Sequence, residues 1–343
     1  MNNRILVPLD GTPHAETALP YAAALAHTLQ LPLVLLRAAR PGLDLEEAAF
    51  YLEELRAWLA AAGVLATSVP AMERPAAASL EYIETRGVSC VVLASHNRRG
   101  LDRWRHGSVA HTLIHQAPVP LLVVRGAEPL ARAASEQRPA LVPASLRSVL
   151  VPLDGSALAE AILPVVNRLA TGSDAAATLL RVVQPLGPVR PPPTFYSTTL
   201  SGEAMAASLE KQALQDAATY LEHMQGRLAR AGITTTYTVR AGEAGWVIGA
   251  YAEEQAFDLV ALATHGHTGV RRWLLGSVAD HLLHSTTVPL LLLRPDPAAL
   301  AWKPTASKET VDAQPEAAVG GSRSAAELVE TAAERAGGEH DRS

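Results

Sequence analysis

A single cysteine, Cys90, stands in the whole chain, inside the apolar run 88–93. One thiol excludes an intrachain disulfide framework and a thiolate metal cluster, and its aliphatic neighbours predict a buried strand cysteine rather than a reactive one. Aromatic residues are scarce at 4%, although 48% of the chain is hydrophobic, so the core must be built from Ala, Val and Leu. No aliphatic run approaches the roughly 18 residues of a membrane-crossing helix, and residues 1–10 lack the apolar stretch and cleavage signature of a secretory leader. A cytoplasmic location with no membrane contact is therefore expected.

Charge of one sign is also missing. The formal net charge is −5, and −4 of it lies in residues 296–343, where nine acids face five Lys or Arg. The remainder is close to neutral, which excludes the basic surface a nucleic-acid partner would need. Absent too are the motifs GxxxxGK[ST], HExxH and GxSxG, and no base stands beside a candidate nucleophile. No catalytic residue is assigned, and the chain is not expected to be an enzyme beyond incidental turnover.

What the chain does have is repetition. VPLDG occurs at residues 7–11 and again at 151–155, an offset of 144, while GSVA occurs at 107–110 and 276–279, an offset of 169. From the second pair the copies align for 19 residues without a gap, and 11 of these are identical. Copy two therefore holds 25 extra residues between its ends, and the proline-rich segment 184–202 (QPLGPVRPPPTFYSTTLSG) reads as a loop insertion. The organisation that follows is domain one at 1–126, a linker at 127–146, domain two at 147–295 and a disordered acidic tail at 296–343.

Within copy one, short aliphatic segments at 4–9, 32–38, 64–69, 88–94 and 120–125 read as strands. Amphipathic helices are expected between them, at 13–30, 43–62, 75–86 and 107–116, and copy two repeats the order. Such alternation means right-handed crossovers and an α/β fold of two tandem, doubly wound, five-stranded parallel-sheet domains. Ligands of these sheets bind beyond the carboxyl ends of the strands, where the winding direction switches.

The loop after the fourth strand of copy two, THGHTGVRRWLLGSVADHLL, opens with Gly266 and Gly269 and ends with Gly276 and Ser277 at a helix start. Glycines let backbone N–H groups approach an anion, and a helix start adds unpaired donors and the positive end of its dipole. On spacing alone the loop is equally a simple helix cap. Asp10 and Asp154 close the first strand of each copy, where they either cap the next helix or accept from a ligand. Histidines 265, 267, 281 and 284 lack carboxylate or thiolate companions at metal-site spacing, so no metal is assigned.

These features together resemble the universal stress protein family, whose ATP-binding signature is Gly, two residues, Gly, nine residues, then Gly and Ser or Thr. Copy two reads Ala263, two residues, Gly266, nine residues, Gly276-Ser277, with Ala263 in place of the first glycine. Copy one reads Ala94, two residues, Asn97, nine residues, Gly107-Ser108. Asn97 tolerates the left-handed conformation but adds a side chain where a phosphate would approach. The likeness covers nearly all of 4–125 and 148–294. It implies a Rossmann-like, adenine nucleotide α-hydrolase-like fold, a role in the stress response, and pseudo-two-fold antiparallel pairing through the last strands of the two copies.

For function, the resemblance implies an adenine nucleotide, ATP with or without magnesium, held by Pro152, Leu153, Asp154, Val182, Ala263, His265, Gly266, Gly269, Gly276, Ser277 and Val278. A weaker second site follows from Pro8, Leu9, Asp10, Ala38, Ala94, Asn97, Gly107, Ser108 and Val109, with Arg98, Arg99, Arg103 and Arg105 either lending charge or simply solvated. Val182 and Ala38 take the adenine-facing position, which spacing alone would give to the core. An unidentified protein partner and a further homodimer are compatible with the pattern. The insertion 184–202 lies where a lid over the adenine pocket would sit. Against the nucleotide reading stand a nucleotide-independent scaffold and a slow ATPase or phosphotransferase.

Overall fold

The computed structural model describes residues 3–38, 45–95, 109–125, 138–185, 202–264 and 275–295. Copy one runs β1 (Arg4–Leu9), α1 (Pro13–Glu16), α2 (Leu19–Leu29), β2 (Leu33–Ala38), α3 (Leu45–Ala61), β3 (Ala66–Ala71), α4 (Pro75–Arg86), β4 (Val88–Ala94), α5 (Val109–Gln116) and β5 (Leu121–Val124). Copy two runs β6 (Ser148–Pro152), α6 (Ala157–Glu160), α7 (Leu163–Ser173), β7 (Ala176–Val183), α8 (Gly202–Arg230), β8 (Thr235–Ala241), α9 (Ala244–Glu254), β9 (Leu259–Ala263), α10 (Ser277–Ser285) and β10 (Leu290–Leu293).

The helix expected at 13–30 is two helices in fact. Pro20 sits in the first turn of α2 and, lacking an N–H, cannot bond back into α1, so the chain breaks at Thr17 and Ala18. Pro164 breaks copy two at the same place. Both second helices then end on a left-handed residue, Gln30 at φ 53° and Asp174 at φ 52°. The third strand of copy one lies at Ala66–Ala71, two residues beyond its expected start. In copy two, α8 has 29 residues where α3 has 17, so part of the extra length is helical. The rest of the insertion, 186–201, the linker residues 126–137 and the tail 296–343 lie outside the described residues.

The ten strands of the described residues form one sheet in the order β3-β2-β1-β4-β5-β10-β9-β6-β7-β8. Neighbours are parallel within each copy, and β5 and β10 join the copies antiparallel, with Leu122 opposite Leu291. The expected pairing of the last strands is thus present. It turns two aliphatic edges into the sheet's centre and leaves β3, which carries Pro70, and β8 as the outer edges.

Strand alternation divides the interior into two layers, each continuous across both copies. Ile5, Val7, Leu122, Val124 and Leu291 point toward α2, α3, α7 and α8. Leu6, Val123, Leu290 and Leu292 point toward α4, α5, α9 and α10. Cys90 lies in the first layer, and burial pushes its thiol up to about 12, as the aliphatic run around it implied. On that same side α2 and α7 cross so closely that a Cβ at Gly172 would lie 2.2 Å from the carbonyl oxygen of Thr28. Among the described residues no helix is long and apolar enough to cross a membrane.

The described end of the linker, residues 138–146, is a strap rather than a free span. Trp58 Nε1 donates to the Pro139 carbonyl at 2.7 Å, and Ala144 N donates to the Pro20 carbonyl at 3.1 Å. Asp258 of copy two then accepts from Ser145 Oγ of the strap at 2.8 Å, and from Arg147 N and Ser148 N at the start of copy two at 2.8 and 2.9 Å.

Candidate functional site

In each copy the winding switches between the first and fourth strands: β2 and β3 lie on one side of β1, and β4 and β5 on the other. The crevice of copy two therefore opens beyond the ends of β6 and β9. There Leu153 is buried and donates its N–H to the Leu180 carbonyl at 2.8 Å, anchoring the turn that exposes Asp154. Pro152 and Ala263 end the two flanking strands half-buried, and Val182 stands half-buried near the end of β7. The equivalent residues of copy one, Pro8, Leu9, Asp10, Ala38 and Ala94, hold the same places around β1, β2 and β4, with Ala38 only 6% exposed.

The helix side of the site is Gly276, Ser277 and Val278. Gly276 is the N-cap of α10 with extended ψ (146°), no side chain among the described residues caps that end, and Ser277 is exposed. The first N–H groups of α10 have no side-chain acceptor among the described residues and are available as donors for an anion. Asp280 lies in the first turn, where it competes for the same positive end. Val109 opens α5 in copy one. His265, Gly266, Gly269, Asn97, Arg98, Arg99, Arg103, Arg105, Gly107 and Ser108 lie outside the described residues.

Asp10 and Asp154 do not themselves cap the helices that follow. The N-caps are Thr12 and Ser156, whose hydroxyls accept from Ala15 N and Ala159 N. Asp10 Oδ1 in turn accepts from Thr12 N at 2.9 Å and Thr12 Oγ1 at 2.6 Å, and Asp154 Oδ1 accepts from Ser156 N at 2.9 Å. Each aspartate thus shapes a tight loop through Gly11 (φ 84°) or Gly155 (φ 86°), a conformation that strains any residue with a Cβ. Both carboxylates remain exposed at the crevice.

Beneath each loop lies an arginine that motif reasoning missed. Arg37 of β2 lies so close that a Cβ on Gly11 would fall 2.7 Å from its guanidinium, and Arg181 of β7 underlies Gly155 at 3.0 Å by the same measure. Arg37 stacks over the ring of Tyr51 at 4.6 Å, and Arg181 over Tyr220 at 5.1 Å. Each tyrosine donates its hydroxyl to a glutamate on the first helix, Tyr51 to Glu16 and Tyr220 to Glu160, both at 3.1 Å. Burial, then the glutamate's charge, raises both phenols well above their ordinary range, so they stay protonated donors. A second arginine closes each set: Arg227 Nη1 donates to Glu160 at 2.9 Å, and Arg138 of the strap donates to both oxygens of Glu16, at 2.5 and 3.3 Å. The signal for this network was available as LLR and YLE strings repeated in both copies.

A parallel sheet wound in both directions from its first strand, with helices on both faces, is the architecture of a doubly wound α/β protein, doubled here in one chain. The universal stress protein family matches the chain over residues 1–125 and 145–294, and the chain belongs to that family. A universal stress protein of Mycolicibacterium smegmatis is 26% identical over 214 residues, 62% of this chain and 63% of the relative. A universal stress protein of Synechocystis is 33% identical over 67 residues, which span 20% of this chain and 23% of that protein. The chain thus spans less than two thirds of either relative's length. Among solved structures, a universal stress protein from Archaeoglobus fulgidus aligns with a TM-score of 0.58 at 18% identity, covering 86% of this chain and 99% of its own. A putative one from Pseudomonas aeruginosa aligns at 0.59 and 16% identity, covering 96% and 98%. At these identities the structural likeness speaks for the fold.

Proposed function

We propose that this protein is a non-enzymatic stress-response module that binds an adenine nucleotide, ATP foremost, in the crevice of copy two, with copy one a second and weaker site. What carries the reading is the start of α10: Gly276 as N-cap, exposed Ser277 and N–H donors that no described side chain caps, set in the copy whose crevice also exposes Asp154. Gly276, Ser277 and Val278 would hold the phosphates, Asp154 a ribose hydroxyl or the adenine amino group, and Val182 the face of the base. Family membership supports the stress-response role. Among the described residues no group of three or more His, Cys, Asp or Glu is placed to hold a metal ion, so a magnesium ion would arrive with the nucleotide.

The test is a calorimetric titration of nucleotide-stripped protein with ATP and magnesium, repeated on Gly276→Asp. Gly276 has a φ of −55° that any residue adopts, and Asp is a favoured N-cap, so the helix survives while a carboxylate takes the place of the phosphates. The expected outcome is loss of the copy-two site with the fold intact. No heat from the unaltered protein, and no nucleotide released on stripping, would favour a nucleotide-independent scaffold instead.

A further inference from the structure

The two networks beneath the strand-one loops differ in one component. Helices α3 and α8 align through AGV at 62–64 and AGI at 231–233, which sets Tyr51 against Tyr220 and Trp58 against Arg227. Copy one thus has a tryptophan where copy two has the arginine that binds its glutamate. The missing guanidinium is replaced by Arg138, which lies over the Trp58 ring at 5.7 Å and reaches Glu16 from the strap. As side chains Glu16 is 1% exposed and Arg138 18%, so the restored pair is largely buried in copy one. A buried carboxylate without a cation would be costly, and Arg138 provides one.

We infer that Arg138 is a positioning residue for the candidate site of copy one: it holds Glu16, and through Tyr51 and Arg37 it fixes the loop that presents Asp10. Because Ser145 ties the strap to Asp258 of copy two and the strap runs directly into β6, the loop of copy one depends on copy two. The loop of copy two is held by Arg227 from its own fold. The effect on nucleotide affinity rests on the reading proposed above, whereas the effect on the loop does not.

Two equivalent amides report the loops, Thr12 N bonded to Asp10 and Ser156 N bonded to Asp154. In the full chain, Arg138→Gln should speed hydrogen exchange at Thr12 about tenfold, the scale of one charged hydrogen bond, and leave Ser156 unchanged. Arg227→Gln should do the reverse. Arg138→Gln should also weaken ATP at copy one about tenfold and spare copy two. Trp58→Arg combined with Arg138→Gln, which returns the guanidinium to the helix, should restore protection at Thr12, and Arg138→Lys should give an intermediate. Unchanged exchange at Thr12 in Arg138→Gln, or equal loosening of both loops, overturns the inference. If the unaltered protein binds no ATP, the proposed function fails, and the exchange pattern alone still decides whether the strap positions the loop.

Discussion

Copies one and two present the same five-strand frame, the same broken first helix and the same arginine-tyrosine-glutamate set, yet they complete that set differently. Copy two draws Arg227 from α8, and copy one draws Arg138 from the strap that leads into copy two. The repeat has kept an interaction rather than a residue. The lesson is that degeneracy cannot be read position by position: Trp58 breaks the pattern locally, and a segment some 80 residues away repairs it.

Removing the glutamates should separate the two copies most. Glu16 is 1% exposed as a side chain, whereas Glu160 and Arg227 are each 20% exposed. Glu16→Ala strands the Tyr51 hydroxyl and the Arg138 guanidinium and should cost about 3 kcal/mol. Glu160→Ala should cost about 1 kcal/mol, because water reaches its partners. Chemical denaturation of both variants measures the difference. Equal losses would mean that the strap arginine adds nothing to copy one that solvent does not already supply.

A smaller effect separates the copies at their seam. His115 of α5 stacks near His111, with ring centroids 4.4 Å apart, and its carbonyl accepts from Arg294 of copy two. Burial first, then His111, together with Arg294, holds its pKa below the ordinary histidine value, and Asp280 opposes them. With the folded value depressed, the unfolded chain binds the proton more readily. The stability from neutral His115 is therefore present above about pH 6.5 and declines as pH falls below it toward the folded value. Urea midpoints at pH 7.5 and 5.5 should show this decline, and His115→Gln should flatten it. A slope unchanged in that variant would assign the pH dependence to other groups.

Much of the frame was legible because the determinants are local. β1 and β4 have the bounds their aliphatic runs indicate, VPLDG marks where the chain turns at each crevice, and GSVA at 276–279 marks the start of α10. Less legible was whatever a single proline or a distant segment decides. Pro20 and Pro164 split the first helices, and Thr12 and Ser156, rather than the aspartates before them, cap them. Arg138 was invisible because composition marks its segment only as a linker, and its partner Glu16 is 122 positions away in sequence. The repeated LLR and YLE strings would have exposed the rest of the network, since an arginine inside an aliphatic strand in both copies calls for a partner.

The smallest expected effect bears on the helix starts that define the two candidate sites. α10 has Asp280 in its first turn, and the equivalent residue of α5 is His111. A first-turn carboxylate stabilises its own helix by about 0.3–1 kcal/mol and repels an incoming anion by a similar amount. Asp280→Asn should accordingly tighten ATP at copy two about two- to fivefold while lowering stability by a few tenths of a kcal/mol. His111→Asp should weaken copy one by a comparable factor. The opposite signs of affinity and stability in Asp280→Asn are the decisive feature, because a general loosening would lower both. If affinity at copy two is indifferent to Asp280, the phosphates do not meet the start of α10, and the reading that makes copy two the stronger site loses the geometry on which it stands.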